Sequence, residues 1–326
     1  MILFDDKNIQ TFTRKYKKKI LISDENVIKK CLPKLKLEYD YLIKIDEGEK
    51  GKNIKNCIKI WDKLNKQKFD SKCLIINIGG GSICDIGGFC ASVYKRGIDY
   101  INIPTTLISQ SDAAIGGKNG INFKKIKNNI GTINKAKATF IITKLLSSLN
   151  NEQKRYGIIE IIKHSLIYNL KLWEYLNKNK NYNYEFLIKE SIKIKNYFIE
   201  KDLYDKKERQ ALNFGHTIGH ALETCLNIKH ESAIHIGIIC ESYISYKKGN
   251  ISKKELHEIQ SFINKRHKKI KITNKKEILS VMKNDKKNIN NHILFSLLNK
   301  IGNYKIKQKV DKKIIKDSLN YYERSK

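Results

Sequence analysis

Proline occurs only twice in 326 residues, and arginine supplies only six of the 65 basic side chains. The seven cysteines, at 31, 57, 73, 84, 90, 225 and 240, are odd in number, scattered, and contain no CxxC pair. That pattern argues against a disulfide framework and a cysteine-built zinc site, and fits reduced thiols in a reducing compartment. No run approaches the roughly 18–20 apolar residues needed to span a bilayer. The opening MILFDDKN has no basic region followed by a long apolar stretch, so no signal peptide is expected. The expectation is a cytoplasmic enzyme without a membrane partner.

Acidic residues are also scarce, 33 against 65 basic ones, which leaves a formal charge of +32. A charge of that size raises nucleic-acid binding as one reading. The composition weakens it. The excess is lysine, dispersed among Ile and Asn, whereas phosphate and base recognition leans on the planar fork of arginine. No nucleic-acid partner is expected, and a basic nucleic-acid-binding protein is kept as a remote alternative. The charge should still attract small anions.

Residues 19–23 (KILIS), 73–78 (CLIINI) and 99–103 (DYINI) read as buried parallel strands, with helical spacing at 26–37 and 52–68 between the first two. Strands alternating with helices predict a βαβ architecture. After about residue 145 glycine becomes sparse, and amphipathic patterns at 151–178, 184–202, 208–226, 233–247 and 253–266 predict packed helices. The expected organisation is an α/β Rossmann-like N-terminal domain, 1–147, followed by an all-α domain, 148–326.

Two segments carry chemistry. The run 73–78 enters Gly79-Gly80-Gly81-Ser82 and then a helix containing Asp85. Glycines at a strand-to-helix turn let phosphate approach bare N–H groups at a helix N-terminus. This is not GxGxxG, and an ordinary tight turn is the alternative. The second segment runs from Arg209 through Asn213, His216 and His220 to Glu223. At about 100° per residue all five fall on one stripe about 80° wide, in a stretch without lysine. Two imidazoles with Asn and Arg on one face point to metal binding or acid–base work. His230 follows, and Glu160 and Lys163 share a face at i, i+3. One Glu with two His is a common catalytic zinc set.

From about residue 20 to about 305 the sequence resembles the 3-dehydroquinate synthase family. The resemblance rests on IGGGSICDIGGF, on Lys95-Arg96-Gly97 with Pro104-Thr105-Thr106-Leu107, and on Asp112…Gly116-Gly117-Lys118…Asn122. It continues through Gly157…Glu160…Lys163, Arg209…Asn213-Phe214-Gly215-His216…Gly219-His220 and Asp285-Lys286-Lys287. The sequence departs from the family at Glu231, where a glycine is usual, at Ile142 for an aspartate and at Asn150 for a proline.

The resemblance implies a dehydroquinate synthase-like fold and a phosphate-eliminating cyclase. Such an enzyme converts 3-deoxy-D-arabino-heptulosonate 7-phosphate to 3-dehydroquinate with NAD and one divalent metal, zinc or cobalt, as a homodimer. Metal would be held by Glu160, His216 and His230, with His235 the weaker alternative to His230. NAD would touch Asp24, Asn26, Glu47, Gly48, Glu49, Lys52, Gly80, Gly81, Asp85, Thr105, Thr106, Lys118 and Lys127. The substrate, a phosphorylated sugar acid, would meet Asp112, Asn128, Lys163, Lys195, Arg209, Asn213, His220 and Lys286 or Lys287, with Lys118 also on its phosphate. Arg96 resembles a residue that crosses the dimer interface to the phosphate. Another sugar-phosphate cyclase, or a polyol dehydrogenase of similar fold, is the alternative. Those substrates lack the carboxylate that Lys195 and Arg209 suit.

Overall fold

The computed structural model describes residues 1–124, 126–283 and 293–324. The chain forms two compact units, Met1–Lys154 and Arg155–Lys326.

The first unit is built on a parallel sheet. Its strands are β1 (Ile2–Leu3), β2 (Lys19–Ser23), β3 (Tyr41–Lys44), β4 (Leu74–Gly79), β5 (Asp99–Pro104) and, after a separate antiparallel pair β6 (Lys118–Phe123) and β7 (Ile126–Ile133), β8 (Ala138–Phe140). The order across the sheet is β1-β8-β5-β4-β2-β3, with every pairing parallel. The helices are α1 (Asn8–Thr13), α2 (Glu25–Lys30), α3 (Ile54–Lys66) and α4 (Gly81–Val93). The apolar runs of β2 and β4 are continuous because both faces of the sheet are covered. Ile20, Ile22 and Ile75 pack with Cys57, Ile60, Ile86 and Phe89 on one face. Leu21, Leu74, Ile76 and Ile78 pack with Ile9 and Val27 on the other.

The chain leaves β2 toward β3 on one side and β4 toward β5 on the other. The order therefore reverses between β2 and β4, and the carboxyl ends of such a strand pair flank the usual ligand crevice of an open α/β sheet. Asp24 follows β2 and Gly80 follows β4, so the fold places both there. A buried polar ladder supports this edge. Asn77 and Asn102 face each other in the register of β4 and β5, and the Asn77 amide donates to Asn102 at 3.0 Å. The glycine at position 87 of α4 leaves room for Asn77: a Cβ there would lie 1.7 Å from its Oδ1.

The helix α5 (Asn151–Gly157) spans the junction of the units. In the second unit follow α6 (Ile159–Tyr168), α7 (Leu170–Lys178), α8 (Tyr184–Lys201), α9 (His216–Leu226), α10 (His230–Lys247), α11 (Lys253–Asn264), α12 (Lys275–Lys283) and α13 (Lys312–Arg324). The unit is helical as expected, but it also carries an antiparallel ribbon, β9 (Leu294–Lys300) with β10 (Asn303–Lys309). A run as short as ILFSLL has no period long enough to separate strand from helix, so its sequence did not declare it. The ribbon braces the turn before α9: Ser296 Oγ donates to the Gln210 carbonyl at 2.6 Å, and Tyr304 donates to Glu208.

The seven cysteines are free thiols. Among the described residues no helix is long and apolar enough to cross a membrane.

Gly87→Ala is expected to destabilise the first unit by about 1–3 kcal/mol, because the new methyl displaces the Asn77 ladder from a full interior. Thermal unfolding followed by circular dichroism checks this. An unchanged midpoint would show that the ladder tolerates the methyl.

Candidate metal and cofactor sites

The predicted stripe from Arg209 to Glu223 does not lie on one α-helix. Residues Glu208–Asn213 form a 3-10 turn, the chain bends at Phe214-Gly215, and α9 begins at His216. Gly215 makes the bend, with φ of 79°, a left-handed backbone that glycine adopts without cost. A Cβ on Gly215 would also meet Ile238 at 2.6 Å. The projection in sequence still brought His216, His220 and Glu223 to one face, because those three share α9.

The metal candidates converge. Suitable donor atoms of Glu160, His216 and His230 all lie within 4.8 Å of one another. The Nε2 atoms of His216 and His230 approach the same oxygen, Glu160 Oε1, at 3.5 and 3.3 Å. Their opposite ring nitrogens are engaged elsewhere. His216 Nδ1 lies 3.1 Å from the Phe214 carbonyl, and His230 Nδ1 lies 3.3 Å from Glu223 Oε2. Such outer contacts fix the tautomer that leaves Nε2 for a metal. His230 is the first residue of α10 rather than part of a loop, so Glu231, which stands where the family has glycine, sits in the first turn of a helix. His235 does not join this set. It is buried beside His267 and Tyr156, and burial pushes its pKa well down.

The electrostatics suit a cation. Glu160 is 1% exposed. Burial alone would raise its pKa, but Lys163, His216 and His230 overcome that and hold the carboxyl well below its usual range. Lys163 Nζ lies 2.6 Å from Glu160 Oε2. Burial lowers the pKa of His216. For His230 burial acts in the same sense, but its hydrogen bonds with Glu160 and Glu223 prevail and lift it to about 10. His220 is exposed, and its ring sits 5.2 Å from that of His216 and 5.9 Å from that of His230. Lys195 on α8 and Arg209 in the 3-10 turn are both buried cations of this unit. Arg209 donates through Nη1 to the Leu203 carbonyl at 2.7 Å, while its backbone N–H bonds Asp202. Asn213 closes the same turn and is partly exposed.

The cofactor candidates gather in the first unit. Gly80 caps the N-terminus of α4. A Cβ on Gly80 would touch Thr106, and one on Gly81 would meet Ala113 at 3.0 Å. Thr105 N–H donates to the Gly79 carbonyl at 2.9 Å. Asp24 caps α2 by accepting from Val27 N–H at 3.0 Å, and burial raises its pKa. Asn26 donates to Glu47 at 2.6 Å. Gly48, with φ of 65°, turns the chain into the 3-10 segment that carries Glu49.

Lys52 is 2% exposed and ties these pieces together. Its ammonium donates to Asp85 of α4 at 2.7 Å and to Asn128 of β7, and lies 3.7 Å from Glu49. Burial disfavours its charge, but Asp85 and Glu49 more than compensate and raise its pKa. Glu49 accepts in turn from Ser82 and Asn122, at 3.0 and 2.8 Å. Asp112 lies in a single π-helical turn, Ser109–Ala113, and Lys118 starts β6. Lys127 stands exposed on β7, where its charge helps lower the pKa of Glu49. Arg96 is exposed in a turn where Lys95 and Arg96 both have left-handed backbone. Lys286 and Lys287 lie outside the described residues.

Reading residues in isolation missed Glu223 as the partner of His230 and Ser82 and Asn122 as partners of Glu49. Glu223 could have been found, since it lies on the α9 face with both histidines. Ser82 and Asn122 had no local signal, because their partner is distant in sequence.

Together these features define a class: an α/β unit with a nucleotide-type glycine turn, followed by a helical unit with a Glu/His/His metal set. Residues 42–156 match the model described as 3-dehydroquinate synthase N-terminal, and residues 157–288 match its C-terminal counterpart. The chain is 34% identical to the 3-dehydroquinate synthase of Parabacteroides distasonis over 327 residues, covering 95% of this chain and 93% of that protein. It is 38% identical to the 3-dehydroquinate synthase of Dictyoglomus thermophilum, covering 87% and 83%. The chain belongs to the 3-dehydroquinate synthase family. Its fold is similar to that of 2-epi-5-epi-valiolone synthase from Streptomyces hygroscopicus, solved with NAD⁺ and Zn²⁺, at a TM-score of 0.90 and 21% identity, covering 100% and 97% of the two chains. A 2-deoxy-scyllo-inosose synthase, solved with carbaglucose-6-phosphate, NAD⁺ and Co²⁺, gives 0.85 at 22% identity, covering 98% and 96%.

Metal affinity should depend on pH with a slope set by one histidine. A pKa near 10 means that His230 carries a proton at neutral pH, which a metal must displace. His216, with its pKa lowered, is already neutral above pH 7. Charged His230 therefore stabilises the metal-free fold fully below about pH 6.5, and that contribution fades as pH rises through about 10. Apparent Co²⁺ affinity should rise about tenfold per pH unit between pH 7 and 8, with about one proton released per ion bound. Titration in weak buffer reads both, and a pH-independent affinity would contradict the assignment.

Proposed function

We propose that this chain is a metal- and NAD-dependent 3-dehydroquinate synthase acting on 3-deoxy-D-arabino-heptulosonate 7-phosphate. The observation that carries the reading is the convergence of Glu160 with the Nε2 atoms of His216 and His230, in a chain 34–38% identical to enzymes of that name. The donor set fits a divalent ion: one carboxylate, two imidazole nitrogens, that of His230 freed when its proton is displaced, and a protein partner behind each imidazole. The first unit fits a dinucleotide, with a glycine turn at a helix N-terminus beside the reversal of strand order. That NAD⁺ with Zn²⁺ or Co²⁺ accompanies two solved proteins of this fold supports the same reading.

When bound, the metal would supply a Lewis acid for substrate hydroxyls, and NAD a hydride acceptor that is returned unchanged. The remaining work belongs to side chains of this protein. Glu160, His216 and His230 would hold the ion, and Lys163 keeps Glu160 ionised. Lys195 and Arg209 would hold the substrate carboxylate, Arg209 by its planar fork. Both are buried, where a charge-assisted contact is worth more than in water. By the family resemblance, Lys118, Asn128 and Lys286 or Lys287 would grip the phosphate, with His220 a further candidate for it. The leaving phosphate could itself remove the acidified proton, which leaves the protein mainly positioning and electrostatics to provide. Asp24, Asn26, Glu47, Gly48, Glu49, Lys52, Gly80, Gly81, Asp85, Thr105, Thr106, Lys118 and Lys127 would line the dinucleotide site, and Asp112 would contact substrate. Arg96 would reach a partner protomer's phosphate in a cytoplasmic homodimer. A basic carrier of nucleic acid gains nothing from the buried Glu160 cluster.

Purified protein given this substrate and NAD⁺ should release phosphate catalytically, and chelation or His216→Ala should reduce the rate at least about 100-fold. Arg209→Lys should raise KM more than it lowers kcat, since it weakens carboxylate binding common to ground and transition states. No phosphate release with any divalent metal would overturn the reading and favour a sugar phosphate without a carboxylate.

A further inference from the structure

The helix pair α9–α10 contains a buried acid with no assigned role. Glu241 is 0% exposed, on the second-unit helix that begins with His230. Its two oxygens accept from two backbone donors, Gly215 N–H at 2.7 Å and Ile218 N–H at 3.0 Å. These donors bracket His216, the first residue of α9. We infer that Glu241 is a positioning residue for the metal site: it clamps the start of α9 so that His216 Nε2 faces Glu160. The inference rests on the metal reading proposed above.

Three observations support it. First, a helix N-terminus has N–H groups without intrahelical partners and a partial positive charge, so an anion there is well placed. No side chain of the usual capping type fills this role, because the cap residue is Gly215. Glu241 therefore serves as a cap delivered from another helix. Second, the backbones of the two helices are in direct contact at that point. A Cβ on Gly237 would lie 1.9 Å from the Gly215 carbonyl oxygen, and one on Gly219 would lie 3.3 Å from the Ala233 carbonyl. The bend at Gly215 cannot relax against so close a neighbour without moving α10. Third, Glu241 lies 11 residues after His230, three turns at 3.6 residues each, so both fall on one face of α10. One helix face therefore supplies the ligand His230 and fixes the ligand His216. His216 gains a second restraint from its Nδ1 contact with the Phe214 carbonyl, itself part of the bend.

Glu241→Gln tests the inference. It keeps the shape but replaces one accepting oxygen with an NH₂ group that faces a backbone N–H. Ser245→Ala serves as the control. Ser245 is buried one turn further along α10, where its hydroxyl donates to the Glu241 carbonyl at 2.8 Å and accepts from Leu298 N–H at 3.0 Å. Its loss therefore removes a neighbouring hydrogen bond of α10 and leaves the two bonds of the Glu241 carboxylate in place. The readouts are the Co²⁺ and Zn²⁺ dissociation constants and the visible spectrum of the Co²⁺ form. Glu241→Gln should weaken binding about 10- to 100-fold, the usual effect of losing an outer contact at a metal site, and should alter the Co²⁺ spectrum. Ser245→Ala should lower thermal stability and leave both readouts within about twofold of the parent. Parent-like affinity and spectrum in Glu241→Gln would overturn the inference, as would equal weakening in the control. If Glu241→Gln does not fold, Glu241→Asp decides: its shorter acid should bind metal measurably less tightly, and parent affinity would refute the clamp. If the parent itself binds neither ion, the metal reading fails and not the clamp alone.

Discussion

The second unit is organised around a carboxylate that water hardly reaches. An ionised group at the position of Glu160 carries a solvation cost that only nearby positive charge can offset. In the metal-free protein Lys163 and His230 supply that charge, and His216 Nε2 lies 3.5 Å from the same oxygen as His230. In the proposed metal-bound form Glu160, His216 and His230 would hold the cation instead. The buried acid thus explains both why the metal-free fold tolerates the cluster and why the cluster is chemically useful. It also explains the constraints behind it. Glu223 holds the far side of His230, the Phe214 carbonyl holds the far side of His216, and the close α9–α10 contact through Gly215, Gly219 and Gly237 leaves those side chains little freedom.

The first unit solves a similar problem with a cation at the centre. Lys52 is buried, Asp85 and Glu49 keep it charged against the cost of burial, and its ammonium also donates to Asn128. Through it, the 3-10 segment after β3, the helix after the glycine turn and the β6–β7 pair become one polar framework. The framework sits on a sheet edge that the Asn77–Asn102 ladder stiffens from below. Both units thus place one buried charge where several elements must be held in register.

Much of this was legible in the sequence, and the gaps have physical causes. The buried strands were readable because both sheet faces are covered, which leaves uninterrupted apolar runs at 19–23 and 73–78. The glycine turn and the α9 histidines were readable because their chemistry is packed into a dozen residues. The break at Gly215 was not, since helical projection takes the chain as continuous and the residues packed against the bend, Ile238 and Glu241, lie more than twenty residues away. The ribbon β9–β10 escaped because a short apolar run has no resolvable period. The pairing of Lys52 with Asp85 and Asn128 is likewise a product of topology. Family motifs named these residues without giving their mutual contacts.

Diffraction from zinc-loaded crystals, recorded at wavelengths on both sides of the zinc absorption edge, tests the central claim most directly. The account predicts one anomalous peak within bonding distance of a Glu160 oxygen and of the Nε2 atoms of His216 and His230. A fully loaded crystal with its zinc bound elsewhere, or with His235 in place of His230, would contradict it.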